Sequence, residues 1–545
     1  MSDLFHNQPN GKWRVLGGKI DDVWDYLTRP ISSSPKWRSY LSALAIFCTL
    51  ICTIIWYPGL VSDDAMSQYL QAIAVAPLSD WHPPLMALFW RLEITLFHTA
   101  NLLNATWISL SALGLYLFLR LRPCLFSLIL FGLLFLSPVF FGMNGFIYKD
   151  IPLSWLLLIA AALLLLLPEK QSSSWRWVDK ILITFLLILC CLLRVNGAFI
   201  AVPLLVTTWW NWHFDFKHLA ACLGLVLLSL PATSWINHHV FKASEDHAEA
   251  SLEILDLAGI AFYGTHAHYT SDENDVTTHK ETFTHWDTAS LNEKLIACYS
   301  PNQWDTFGAW ELENFPILIL GFNKWKQTWS ATQQNDEWGP EINHAQESCY
   351  ALGDQLRQKP PEMLTKEWFA AIKNHPFPYI KHRLAHFSTG YLGHIDEREF
   401  IESPGAWTDG GYYPLGENDK IYATAPYENI AEEQYRIFMK KHRGLWSNYG
   451  VFWIASALSL FIITLRCKSA LDRFVNLMSF ASLCYFFGYL VIGVGCQWRY
   501  IMPSAILVIS ALLAIYIKAE RIGSPTSRKI GFWIWGTLMF WSCII

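Results

Sequence analysis

The sequence predicts an all-α polytopic membrane protein, and three observations carry that prediction. The 545 residues are 53% hydrophobic and only 16% charged, with a mean hydropathy of +0.24, which leaves too few polar residues to coat soluble domains of that length. The apolar excess falls in discrete runs of about 15 to 20 residues, enough to cross a hydrocarbon core about 30 Å thick as helices. A single long polar stretch, residues 237–449, interrupts these runs.

Residues 1–38 are fairly polar and lack the short basic start and cleavage site of a secretory signal peptide, so the first apolar run is expected to stay as an anchor. The expected spans are 39–57, 103–119, 124–142, 151–168, 181–195, 198–212, 218–236, 450–465, 474–494, 500–517 and 531–545, about eleven in all. The run 83–98 begins at Pro83-Pro84 and is broken by Arg91, Glu93 and His98, which suits an amphipathic helix lying along the membrane surface. Residues 39–236 then form a first membrane module with the loop 58–102 inserted. Residues 237–449 are long enough for a mainly helical folded domain between helices seven and eight, and 450–545 return to the membrane.

Basic residues orient the bundle, because Lys and Arg in short loops mark the cytoplasmic side. With Lys12, Arg14, Lys19, Lys36 and Arg38 inside, the alternate loops carry Arg120 and Arg122, then Lys170, Arg176 and Lys180, then Lys217, then Arg466, Lys468 and Arg473, then Lys518, Arg521, Arg528 and Lys529. Every basic loop falls on one side, so 58–102, 143–150, 194–197, 237–449 and 495–500 face outward. A net charge of −5 offers no general attraction to nucleic acid or anionic lipid. Of the 12 cysteines, Cys298 and Cys349 stand alone in the polar stretch, either as a disulfide or as two unpaired buried thiols.

The outward segments hold the unusual residues. The first loop reads Tyr57-Pro58-Gly59, Ser62-Asp63-Asp64-Ala65, then Ser79-Asp80-Trp81-His82-Pro83-Pro84. A helix starting there puts Asp64, Gln68 and Gln71 on one face at i, i+4 and i+7. A carboxylate so placed can take a proton from an attacking hydroxyl, and the amides can position sugar hydroxyls. Equally, Ser62 or Asp63 could simply cap an interfacial helix, worth about 1 kcal/mol. Tyr148-Lys149-Asp150 offers a second acid and a cation at a span boundary, or only a headgroup anchor. Arg194, beside Asn196-Gly197, and Arg499, in Gln497-Trp498-Arg499-Tyr500, present guanidinium forks suited to phosphate, whether a substrate's or a headgroup's. No Walker loop, dinucleotide-binding glycine pattern, nucleophile elbow or His-Glu-x-x-His is present. The histidines His238-His239, His266 and His268 read as surface or core residues rather than metal ligands.

In this order the motifs resemble the C-type superfamily of membrane glycosyltransferases, and most closely uncharacterised bacterial members. The matching pieces are Tyr57-Pro58-Gly59 through Asp64 and Gln68, Asp80-Trp81-His82-Pro83-Pro84-Leu85, Tyr148-Lys149-Asp150, Leu193-Arg194 with Asn196-Gly197, and Asp256-Leu257-Ala258-Gly259. They continue with Cys298-Tyr299-Ser300-Pro301, Trp304-Asp305, His375-Pro376 with Tyr379 and Arg383, and Trp498-Arg499-Tyr500. The resemblance implies an inner-membrane enzyme whose site faces the periplasm, with juxtamembrane helices in the first loop and a polyprenyl-phosphate sugar as donor. The acceptor it implies is a surface glycan such as lipopolysaccharide O-antigen, or a protein. Asp64 matches the family's general base best, with Asp63 its neighbour and Asp150 a further acid. Related transferases often carry a Lys before the two prolines, where this chain has His82, so the donor phosphate is expected on Arg194, Lys149, Arg499 and His82. Gln68, Gln71, Asp80 and Tyr500 are the expected substrate contacts. Some members use a divalent metal and others none; no ligand cluster in the sequence decides between them. A secondary transporter or flippase is the principal rival, and it predicts ionisable groups near the midplane, broken helices and internal repeats.

Overall fold

The computed structural model describes residues 36–57, 59, 63–167, 173–265, 282–283, 285–301, 304–308, 340–388, 391, 450–466, 469–495 and 498–518. Among these residues every regular element is helical, and β pairing is limited to isolated bridges such as that between Ser79 and Ser244. The all-α expectation therefore holds. The expected span 531–545 and much of 237–449 lie outside the described residues.

The first part of the chain forms α1 (Lys36–Trp56), α2 (Asp63–Ala72), α3 (Leu85–Phe97), α4 (Leu103–Leu119), α5 (Leu125–Phe135), α6 (Pro138–Met143), α7 (Asp150–Leu166), α8 (Ser173–Leu193), α9 (Gly197–Trp209) and α10 (Phe216–Trp235). Among the described residues three helical stretches, Lys36–Trp56, Phe216–Val240 and Ala470–Ile492, are long and apolar enough to cross a membrane, and six shorter apolar helices accompany them. One element differs from expectation. The run 124–142 is two helices, because Pro138 has no N–H to continue the ladder and Ser137 instead caps a new helix through the Phe140 amide.

The centre of the bundle is α7. Residues 150–165 are all buried, as expected of a helix that is apolar on every side. It packs against α4, α8 and α19 (Met502–Lys518), while α17 (Gly450–Ile463) and α18 (Ala470–Ile492) complete the wall. Because successive helices alternate in direction, the ends of α1, α8 and α18 share one end of the bundle with the starts of α4, α7, α9 and α19. The first loop, with α2 and α3, lies at that same end.

A second hydrophobic core belongs to a separate helical unit: α11 (Ala250–Thr265), α12 (Leu291–Ala297), α13 (Asp305–Gly308), α14 (Pro340–Arg357), α15 (Pro361–Asn374) and α16 (Pro376–Phe387). A disulfide joins Cys298 to Cys349 across 51 positions of sequence, tying the end of α12 to α14. Closing a loop of that length restricts the unfolded chain and is typically worth about 2–5 kcal/mol. Thermal unfolding with and without reductant, and of Cys298→Ser/Cys349→Ser, is expected to show this unit melting well below the oxidised protein; an unchanged melting profile would show that the bond adds no stability.

Candidate active site

At the shared end of the bundle six ionisable side chains from distant parts of the sequence converge. Asp64 comes from the first turn of α2, and its side chain remains 30% exposed. Arg499 reaches it from the 3-10 turn that precedes α19, with a nitrogen 2.9 Å from Asp64 Oδ2. His82 Nε2 stands 3.5 Å from Asp64 Oδ1. Lys149, at the N-cap of α7, donates to His82 Nδ1 at 2.7 Å. That donation requires a lone pair on Nδ1, so the imidazole is neutral and carries its proton on Nε2, the side facing Asp64.

Behind this group Asp150 and Arg194 form an ion pair, one guanidinium nitrogen lying 2.6 and 2.7 Å from the two carboxylate oxygens. Asp150 is wholly buried and the Arg194 side chain nearly so. The local sequence explains both positions. Pro152 sits in the first turn of α7, where a missing N–H costs nothing, and Asp150 complements the positive end of the same helix. At the other partner α8 stops at Leu193 and the chain reverses at once, the Gly197 amide donating to the Arg194 carbonyl at 2.8 Å. A Cβ at Gly197 would lie 2.4 Å from the Cys190 carbonyl oxygen, so only glycine permits the turn that presents Arg194.

Aromatic rings fix the guanidinium planes. Arg499 lies 4.4 Å over the Tyr148 ring and 5.1 Å from the Tyr500 centroid, and Arg194 lies 4.3 Å over Tyr500. Arg499 also donates to the Tyr500 hydroxyl at 3.2 Å. Tyr500 in turn stacks on Tyr489 at 5.6 Å, whose hydroxyl meets that of Tyr485. Such stacking holds an arginine in one orientation and leaves its edges for an anion.

Three cations (Lys149, Arg194, Arg499) thus face two carboxylates (Asp64, Asp150), leaving positive charge in excess. Burial would raise the Asp64 carboxyl, but Arg499, His82, Lys149 and Arg194 together hold it well below the usual carboxylate range. Burial and the neighbouring Lys149 push His82 down to about 3. Burial also brings Lys149 down to about 8, against the opposing pull of Asp64.

These values set a pH dependence. Because His82 is neutral throughout, anion binding by this cation cluster is expected to stay level where an ordinary histidine would titrate, about pH 5.5 to 7.5. It is expected to fall as pH rises through about 8, when Lys149 loses its proton. Since that group sits below its unfolded value, folding releases a proton there, and its contribution to stability grows, rather than declines, over the same rise. Binding measured against pH for wild type and Lys149→Arg checks this: the fall should vanish in the variant, and a fall that persists would assign it to another group.

Other expected contacts lie elsewhere. The Asp80 carboxylate is taken by His238 Nε2 at 3.0 Å and by the Asp246 amide at 2.7 Å, which ties the first loop to the segment after α10. Gln71 is buried, its side-chain Nε2 3.5 Å from the Ser79 hydroxyl and its backbone carbonyl accepting from Arg91 at 2.6 Å. Both residues hold the loop together. Gln68 is buried on the Asp64 face of α2, and its Nε2 has no hydrogen-bond partner. The side chains of Asp63 and Trp498 lie outside the described residues. Among the described residues no group of three or more His, Cys, Asp or Glu side chains converges as a metal site.

Sequence reasoning missed Tyr485 and Tyr489, which sit inside an apolar run and read there as core. It also missed His382, fully buried between Asp256 and Tyr299. The signal was present in the close spacing of His382 and Arg383 along one helix. Compared with known proteins, the chain matches no protein-family model, no curated protein and no solved structure.

Proposed function

We propose that the chain is a membrane glycosyltransferase that moves a sugar from a polyprenyl-phosphate donor to an acceptor hydroxyl, with Asp64 as general base. The observation that carries this reading is a half-open carboxylate held against Arg499 and His82, with Lys149 and Arg194 close behind, at one end of an apolar helical bundle. An acid beside clustered cations suits a displacement in which a hydroxyl loses its proton while a phosphate departs. The acceptor oxygen bonds to the anomeric carbon, the bond from that carbon to the phosphate oxygen breaks, Asp64 receives the acceptor proton, and the phosphate leaves with the electron pair. No second acid is required, because phosphate is a good leaving group, unlike the alkoxide of a glycoside.

His82 stands where related transferases carry a lysine, and its bond to Lys149 supports a shared role: the cation arrives from the start of α7 rather than from the loop. A donor phosphate bound to Arg499, Arg194 and Lys149 would offset the charge that depresses Asp64, so the base gains proton affinity when the donor is in place. The nine apolar helices support a bundle of about eleven spans in an inner membrane, with the cytoplasmic side marked by the basic loops and the site facing the periplasm. The acceptor in this reading is a surface glycan or a protein docked on the second helical unit.

The test is transfer of radiolabelled sugar from a panel of polyprenyl-phosphate donors to surface glycan in membranes carrying the folded protein. Transfer above a protein-free control supports the enzyme. Absence of transfer across the whole panel would turn the reading toward a transporter or flippase of a lipid-linked anion, for which the buried Asp150–Arg194 pair is the feature to pursue.

A further inference from the structure

We infer that the second helical unit, with Tyr391 beyond it, sets the position of Arg499 by gripping the carbonyls of residues 493–495, so that Arg383 and Tyr391 act on the site as positioning residues. The inference rests on the proposed function only in treating Arg499 as a donor ligand; the mechanical link stands independently of it.

Helix α18 ends at Ile492, and Gly493 already has an extended backbone. Carbonyls in an extended stretch at the end of an apolar bundle need partners from elsewhere. Here three successive carbonyls are taken by α16, by the residue before α13, and by Tyr391, which lies beyond α16 and packs in the bundle core. Arg383 donates to the Gly493 oxygen at 2.6 Å, the Trp304 amide to that of Val494 at 2.9 Å, and the Tyr391 hydroxyl to that of Gly495 at 2.7 Å. Each is buried, or nearly so.

The grip is itself anchored. Arg383 lies 2.7 Å from Asp256 Oδ1. The same carboxylate pairs with His382 Nε2 at 3.0 Å and accepts from Trp368 Nε1 at 2.8 Å, and His382 Nδ1 meets the Tyr299 hydroxyl at 2.9 Å. A Cβ at Gly259 would sit 2.2 Å from the His382 ring, so glycine is what allows α16 to lie so close on α11. Tyr299 follows the disulfide residue Cys298, whose carbonyl accepts from Thr306 at 2.8 Å. Asp256, His382 and Tyr299 have no exposed surface, which gives this network no access to a substrate and leaves it a structural function. Its output is the segment leading to Arg499.

A second path reaches the same arginine. The Tyr391 ring packs on Tyr489 at 4.9 Å, Tyr489 stacks on Tyr500 at 5.6 Å, and Tyr500 carries both Arg194 and Arg499 on its face. Gly495 lies directly beside that ring, a Cβ there standing 3.3 Å from Tyr500 Cε2. Releasing the Gly495 carbonyl therefore loosens its contact with the ring on which Arg499 lies.

The experiment uses the full chain in nanodiscs, with wild type, Tyr391→Phe, Arg383→Gln, Arg499→Ala and the double variant Tyr391→Phe/Arg499→Ala. Hydrogen exchange of the 493–501 amides and binding of polyprenyl phosphate are the two readouts. Tyr391→Phe removes one hydroxyl and should still fold. It is expected to raise exchange in that segment and weaken polyprenyl phosphate about tenfold, the effect of one buried hydrogen bond. In Arg499→Ala it should cost clearly less than it does alone, because much of its effect works through that side chain. Unchanged exchange at 493–501 in a folded Tyr391→Phe would overturn the inference, as would losses that simply add in the double variant. Should Arg383→Gln fail to fold, Tyr391→Phe decides. If wild type binds no polyprenyl phosphate, the donor reading fails while raised exchange still supports the positioning link.

Discussion

Replacing Asp64 with asparagine is expected to lower the rate constant for sugar transfer at least about 10²-fold, the usual contribution of a positioned general base, with the protein folded and present at the wild-type level. Asn keeps the size of the side chain and an oxygen that can still accept from Arg499, which lies 2.9 Å away in the wild type. It removes only the charge and the basicity. Donor binding should be unchanged or tighter, because Arg499, His82 and Lys149 lose a competing carboxylate while every proposed phosphate ligand stays. A fall in rate without a rise in donor KM is therefore the expected pattern, and it separates lost chemistry from lost binding. If transfer in the variant matched wild type, the base would lie elsewhere. Asp63 would be the first alternative, since both oxygens of Asp150 are already occupied by Arg194.

Much of this arrangement was legible in the sequence, and the parts that were not share a physical reason. Helix positions followed from run length and flanking residues: the span expected at 103–119 is the helix Leu103–Leu119, and the amphipathic run at 83–98 is Leu85–Phe97. The broken helix at Ser137-Pro138 was masked because hydropathy outweighed a local stop signal. Sidedness brought Asp64, Lys149, Arg194 and Arg499 to the same end of the bundle, since each sits at a helix terminus of the same parity. Which cation would meet which acid was not legible. Asp64 and Arg499 are 435 positions apart and meet only in the tertiary fold, and no local pattern encodes that. Asp80 illustrates the converse: in sequence it resembles the other loop acids, yet its carboxylate serves His238 and the Asp246 amide. Tyr489 went unread because a tyrosine inside an apolar helix is indistinguishable from core until its neighbours are known.

The Asp150–Arg194 pair should produce the largest stability effects. Both groups are withdrawn from water, so removing one leaves an uncompensated buried charge, which typically costs about 3–5 kcal/mol. Arg194→Ala strands the Asp150 carboxylate at the start of α7, the helix against which the rest of the bundle packs. Asp150→Asn strands the guanidinium over Tyr500. Both single variants are therefore expected to unfold at markedly lower temperature than wild type in detergent. Asp150→Asn/Arg194→Leu, which removes both charges and fills the volume with apolar atoms, should recover most of that loss, because a buried ion pair is often worth no more than its apolar replacement. Donor binding should not recover with it. The Arg194 side chain keeps 12% of its surface exposed, which leucine would present to a phosphate without charge or a donor. Recovery of both stability and polyprenyl phosphate binding in the double variant would remove Arg194 from the donor site, and single variants as stable as wild type would show that water reaches the pair.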